Sequence, residues 1–272
     1  MATVESGRVV LFGAGGPVGA AAITALKNLY ELRVTDFRPM AEIASEPSPQ
    51  GPRRPVPEVL GPPHENRVVD VFNWEQVRSA CEGMDAAINL SVLRSDLIPA
   101  FRVSAVGAYN IATAAVDCGL KRLIHTGPFH TSLNHDADYH NDFQVSEDIP
   151  LHPGDDLYAL SKYIGGEWTK VIAERCGLEV LTFLYCGFLT RTVYDDQIGR
   201  GVGPFSVSIE DAGEAFVHGL RAPSMPSPYE VFFINAPTPD QKYPPKKAKK
   251  LLGWEAKDQF EKLYTRPEKA NP

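Results

Sequence analysis

Short apolar runs alternate with longer amphipathic stretches along most of this chain, and the alternation predicts strand and helix in turn, six times over. The first run, Val9-Val10-Leu11-Phe12, is four apolar residues closed by Gly13, the pattern of a strand buried on both faces of a parallel sheet. A helix opens at Ala20, and a second strand occupies residues 31–36. Residues 67–71 read as the third strand, followed by a helix at 73–81 with Asn73 as its cap, and residues 85–90 as the fourth strand. From 96 to 118 the pattern is helical, interrupted only by Pro99 in the first turn, where proline is tolerated. Gly119 ends that helix, residues 121–126 make the fifth strand, residues 156–176 a second long helix closed by Gly177, and residues 179–185 the sixth strand. This order is that of a doubly wound parallel α/β sheet.

Two stretches break the rhythm. From Pro39 to Pro63 there are eight prolines in 25 residues, which excludes a helix or a central strand and predicts a surface loop. Past Gly187 the pattern loosens into a loop to Phe205, a helix at 209–221, a strand at 229–234 and short helical pieces. Residues 188–272 are therefore expected to form a small substrate lobe, interleaved with a larger unit of residues 1–187 and seated over the carboxyl ends of its strands.

The turn after the first strand carries the first chemistry. Gly13, Gly16 and Gly19 stand at a regular spacing of three, with Pro17 and Val18 between the last two, and the helix follows at once. Such glycines allow a tight turn, a close approach to a pyrophosphate, and close packing of helix on strand, while the helix N-terminus attracts the anion. Asp36 ends the second strand 17 residues beyond Gly19. A carboxylate there accepts bonds from the adenosine ribose hydroxyls and repels a 2′-phosphate. The expected cofactor is NAD, in a Rossmann-like fold, although Arg38 lies close enough in sequence to soften the repulsion.

Composition narrows the field further. With 272 residues, 43% hydrophobic, the chain can bury one large core or a core plus a lobe. A net charge of −7 argues against general affinity for nucleic acid or anionic membranes, and no apolar run is long enough to span a bilayer. Glu5 and the absence of an apolar leader favour a cytoplasmic location. Cys81, Cys118, Cys176 and Cys186 form no recognisable pair and are expected to be reduced.

The second chemical motif is Tyr158-Ala159-Leu160-Ser161-Lys162, at the start of the second long helix. Tyrosine and lysine at i and i+4 share one face. An ammonium beside a phenol favours phenolate, giving a general base for an alcohol proton. At this point the chain resembles the extended short-chain dehydrogenase/reductases, the NAD-dependent epimerases and dehydratases. The resemblance runs through the glycines, Asp36, Asp70-Val71, Gly107-Ala108-Tyr109-Asn110, Tyr158/Lys162, Ser208-Ile209-Glu210-Asp211 and Leu252-Gly253-Trp254. Several of these segments, with His130-Thr131, look closest to uronate dehydrogenases, which oxidise free hexuronates to lactones. It implies adenine-side contacts at Asp70 and Val71, a cofactor contact at Leu90, Tyr158 as acid/base, Lys162 on the nicotinamide ribose, and a homodimer built on the two long helices.

Two positions depart from the family pattern. The slot for a serine or threonine after strand five holds Pro128, which leaves Thr126 as the expected substitute, and the family's helix-four asparagine is Ser104. Arg94, Arg191 and Arg200 are candidate clamps for a substrate carboxylate or phosphate, with His130 in the pocket wall. His125, His130, His135 and His140 recur every five residues, with Asp136, Asp138 and Asp142 nearby, a spacing that matches no standard metal site, so no metal is expected. The lysines at 246–250 read as the solvated face of a terminal helix. The expected activity is NAD-dependent oxidation of a carbohydrate-like substrate, a sugar or sugar acid. A nucleotide-sugar epimerase or dehydratase and a non-catalytic NAD-binding regulator are the alternatives.

Overall fold

The structure is a computed structural model describing residues 3–48, 51–94, 96–131, 142–192, 197–199 and 201–264. Its strands are β1 (Arg8–Phe12), β2 (Glu31–Asp36), β3 (Glu65–Val68), β4 (Ala86–Asn89), β5 (Arg122–Pro128), β6 (Glu179–Tyr185), β7 (Gly187–Leu189), β8 (Ser206–Ser208) and β9 (Tyr229–Phe233). Seven of them form one sheet in the order β3-β2-β1-β4-β5-β6-β9, every neighbouring pair parallel, and β7 with β8 forms a small second sheet. The helices are α1 (Pro17–Leu26), α2 (Met40–Ser45), α3 (Trp74–Cys81), α4 (Leu97–Phe101), α5 (Gly107–Asp117), α6 (Leu157–Cys176), α7 (Ile209–Arg221) and α8 (Glu261–Tyr264).

The unbroken apolar run of β1 is explained by a core on each face of the sheet. Val9 and Leu11 pack into one with Ile23, Leu26, Phe216 and Leu220 from α1 and α7. Val10 and Phe12 pack into the other with Val77, Ile111 and Ala173 from α3, α5 and α6. Strand order reverses between β1 and β4, where Phe12 lies opposite Asn89. A crevice at the carboxyl ends of such a pair is where this architecture takes its ligands.

Four segments differ from the sequence expectations. The proline-rich stretch begins with a helix, because Pro39 sits at the N-cap position of α2 and the next proline comes only at 47, leaving room for a turn and a half. The helix expected over 96–118 runs unbroken from Leu97 to Asp117 but is not uniform: between α4 and α5 the turn at Arg102–Val106 widens, and Gly107 N–H reaches back to the Arg102 carbonyl. The third strand is shifted to 65–68, with Val69 N–H still bonded to Asp36 O before Asp70 turns the chain into α3. Fourth, two elements after residue 187 join the main body: α7 lies on α1, and β9 is the seventh strand of the sheet.

A buried cation fixes that junction. Arg122, fully buried at the start of β5, pairs with Glu179 of β6 and donates to the carbonyls of Gly219 (2.6 Å) and Ala222 (2.8 Å) at the end of α7. A guanidinium at a helix C-terminus satisfies its last carbonyls and its dipole together.

Candidate active site

The glycine turn is built as its spacing predicts. Gly13 has φ +72°, and a Cβ there would stand 2.5 Å from Ser91 Cα; one on Gly19 would stand 2.1 Å from the Ala14 carbonyl oxygen. Gly16 is the N-cap of α1 without a side-chain cap, so the first-turn N–H groups remain available to an anion. Gly13, Gly16, Pro17, Val18, Gly19 and Leu90 all border a cleft of about 550 Å³ at the sheet reversal.

Asp36 is held by two backbone N–H groups. Its Oδ2 accepts the Gly15 N–H at 2.8 Å and its Oδ1 the Arg38 N–H at 3.3 Å. Arg38 borders the same side of the cleft, with its guanidinium paired to Glu46 at 2.6 and 3.0 Å and Glu42 at 3.8 Å. Beyond Asp36 lies an apolar hollow of about 540 Å³ bordered by Phe37, Val69, Asp70, Val71, Phe72 and Leu93. It shares Gly13, Asp36 and Val92 with the main cleft, so an adenosine half and a nicotinamide half fit end to end. These residues fit NAD.

At the other end, Asp156 caps α6 by accepting the N–H groups of Tyr158 (2.9 Å) and Ala159 (3.3 Å). This sets Tyr158 and Lys162 on the cleft wall. The expected pairing of phenol with ammonium takes a different form here. Lys162 is buried, donates to the carbonyls of Ser91 (2.7 Å) and Thr126 (3.3 Å), and is pushed down to about 7 by burial and then by Arg94. The cation facing the tyrosine is Arg94, whose guanidinium carbon lies 5.0 Å from the ring centroid. Burial raises the Tyr158 phenol, Arg94 pulls it back by charge and hydrogen bonding, and Asp156 adds a smaller upward push.

Thr126 and Pro128 both line the cleft, and β5 runs through to Pro128, opposite Tyr185. The Thr126 hydroxyl gives its proton to the Asn89 carbonyl at 2.7 Å, so towards a substrate it acts as an acceptor. Ser104 sits in the widened turn, its hydroxyl buried and without a partner among the described residues. His130 borders the cleft beside Phe129. Arg191 is not among the cleft residues: Asp258 holds it at 2.9 and 3.1 Å, with Asp211 at 3.5 Å. Arg200, His135, His140, Asp136 and Asp138 lie outside the described residues, among which no group of three or more metal-ligating side chains occurs.

Sequence reasoning missed Arg54, Tyr185, Cys186 and Phe188, all of which border the cleft. The last three follow directly from β6, whose carboxyl end must face the crevice, and that signal was available. Arg54 had none, since it lies in the proline-rich stretch and reaches the cleft only through tertiary packing.

The model of the NAD dependent epimerase/dehydratase family matches residues 9–202. Among solved structures, the chain is similar to uronate dehydrogenase from Agrobacterium tumefaciens, at 20% identity and TM-score 0.73, covering 100% of this chain and 93% of that one. It is also similar to a glucuronic acid dehydrogenase from Chromohalobacter salexigens (19%, TM-score 0.74, covering 98% and 91%). A third is UDP-glucose 4-epimerase from Thermotoga maritima (16%, TM-score 0.70, covering 94% and 96%). No relative is found among curated protein sequences. The glycine turn, Asp36 and the Tyr158/Lys162 wall thus stand in the fold these enzymes share, and the chain belongs to the NAD-dependent epimerase/dehydratase family.

Proposed function

We propose that this protein is an NAD-dependent dehydrogenase of a free sugar acid, of the uronate-dehydrogenase kind. The observation that carries the reading is Arg94, a permanent cation over the Tyr158 ring, inside the cleft and paired with no carboxylate among the described residues. A guanidinium so placed matches a substrate carboxylate. Cleft size supports a free sugar over a nucleotide sugar. The lobe after residue 187 contributes only Phe188 to the described lining, and about 550 Å³ must hold the nicotinamide half as well as the substrate.

NAD, when bound, accepts the hydride. The protein's own groups handle the proton. Tyr158, as phenolate, takes it from the substrate hydroxyl; Thr126 oxygen accepts from and orients a neighbouring hydroxyl; Lys162, fixed by two carbonyls, holds the ribose side of the wall. Arg94 both holds the substrate anion and stabilises the phenolate.

The test is a panel of free uronates, aldoses, polyols and UDP-sugars, followed by NADH absorbance and by sugar analysis, with Tyr158→Phe as control. NADH formed from an acidic sugar, and lost in the control, is the expected result. Interconversion of a UDP-sugar without net NADH would replace the reading with an epimerase. Silence across the panel with intact NAD binding would favour a regulator.

A further inference from the structure

The segment between α2 and β3 sends one side chain into the cofactor cleft for which neither the fold nor the proposed chemistry has a use. Pro55, Val56 and Pro57 share a hollow of about 190 Å³ with Gly15, Pro17 and Asp36, so the chain here runs over the glycine turn. Glu58 ties the segment to Lys27, at the end of α1, at 2.6 Å. From that position Arg54 reaches across to β7, where its Nη2 donates to the Phe188 carbonyl at 2.5 Å, and it lines the main cleft together with Gly16, Pro17 and Val18.

The other arm of the fork is unsatisfied. Arg54 Nη1 is buried and has no hydrogen-bond partner among the described residues. The two carboxylates of the cleft are engaged elsewhere: Asp36 with the N–H groups of Gly15 and Arg38, Asp156 with those of Tyr158 and Ala159. A buried charged donor left without an acceptor is costly, which marks a place for an anion supplied from outside the chain. With one arm anchored, the planar guanidinium presents the other as a directed donor, suited to phosphate oxygens.

We infer that Arg54 clasps the pyrophosphate of NAD, closing the cofactor against the glycine turn from the opposite side. Asp36 stands at the adenosine end and the Tyr158/Lys162 wall at the nicotinamide end, so the bridge between them crosses the cleft that Arg54, Gly16 and Val18 all border. The anion of the substrate is assigned to Arg94, at the reacting end. This inference rests on NAD as the cofactor and is independent of the sugar-acid reading.

Calorimetric titration of the full chain with NAD and ADP-ribose, and NMR titration with adenosine, separates the pyrophosphate from the rest. Arg54→Ala should raise the Kd of NAD and of ADP-ribose by about tenfold to a hundredfold and leave adenosine unchanged. Arg54→Lys, a point charge without the fork, should fall between Ala and wild type. Arg54→Gln keeps a polar amide but neither the charge nor the reach of the guanidinium, and should resemble Ala. Wild-type NAD affinity in Arg54→Ala or Arg54→Gln would overturn the clasp. So would equal losses for adenosine, which would indicate collapse of the segment, or a loss confined to the KM of a sugar substrate.

Discussion

Replacing Arg94 by methionine keeps the apolar stem of the side chain and removes its charge from above Tyr158. The guanidinium carbon is 5.0 Å from the ring centroid. Arg94 is exposed, so an effective dielectric of about 40, between a protein surface and water, is appropriate. With the 5.0 Å to the ring taken as the scale of the charge separation, Coulomb's law gives the phenolate about 1.7 kcal/mol, or roughly one pH unit. The sign follows from the protonation states. The base is the anion, so losing the cation raises the pKa of Tyr158, and activity is lost as pH falls.

The assay is kcat/KM for sugar oxidation at saturating NAD across about pH 6 to 11. Arg94→Met should move the ascending limb up by about one unit, so that rates differ by about tenfold well below it and converge above it. About 0.5 M salt should narrow the gap by screening an exposed cation in the wild type. An unmoved limb with a raised KM would leave Arg94 as a carboxylate clamp alone and refute its part in proton transfer. A uniform loss at every pH would mean the substitution disturbs substrate position instead.

Four further outcomes are expected. Asp36→Ala should weaken NAD binding and narrow the preference over NADP, read by competitive calorimetry, because it removes the carboxylate that opposes a 2′-phosphate. Thr126→Val should lower turnover by about tenfold, less than Tyr158→Phe, since the threonine proton is spent on Asn89 and only an acceptor is removed. His125, buried and held at about 3 by burial and by Lys162, must be charged when the chain unfolds in acid. Stability in urea should therefore fall by about 2 kcal/mol from this group between pH 7 and 5, a drop that His125→Gln abolishes even if it lowers the starting value. Leu97, Ile98, Phe101 and Trp168 leave an exposed apolar face on α4 and α6, and light scattering at micromolar concentration should give a dimer mass; a monomer would refute this.

The cofactor half was legible because its chemistry is carried by backbone. Gly13 and Gly19 declare close approaches that no other residue tolerates, and Asp36 is tied to them by the length of one helix and one strand. The helix cap Asn73 was equally local, since it accepts an N–H three residues on; Asp156 and Ser208 cap their helices in the same way, a signal the sequence reading did not use. Long-range packing hid the rest. The widened turn of the α4–α5 helix lies at Arg102–Val106, residues with no breaker among them, so nothing local announces it. The placement of β9 depends on Arg122 gathering the end of α7 to the sheet, a contact across nearly a hundred residues. Arg54 was invisible because proline-rich composition forecasts exposure and is silent about where one side chain goes.

The proton-transfer end differs from the family pattern in a connected way. A strand-five hydroxyl would be a neutral group for the substrate oxygen, but Pro128 occupies that slot, and β5 continues straight into Phe129. Phe129 stacks on Phe205 at 4.3 Å and meets Tyr243 at 4.9 Å, so the strand end is held by an aromatic cluster that leaves it no freedom to bring Thr126 further forward. Lys162, buried between two carbonyls and at about 7, gives up its charge across the alkaline range in which a phenol ionises. Arginine does not lose its charge there. With Pro128 in the hydroxyl slot and the Lys162 ammonium weakened, the sugar-acid reading proposed above rests on Arg94, the guanidinium over the Tyr158 ring, as the fixed cation that an anionic substrate would meet.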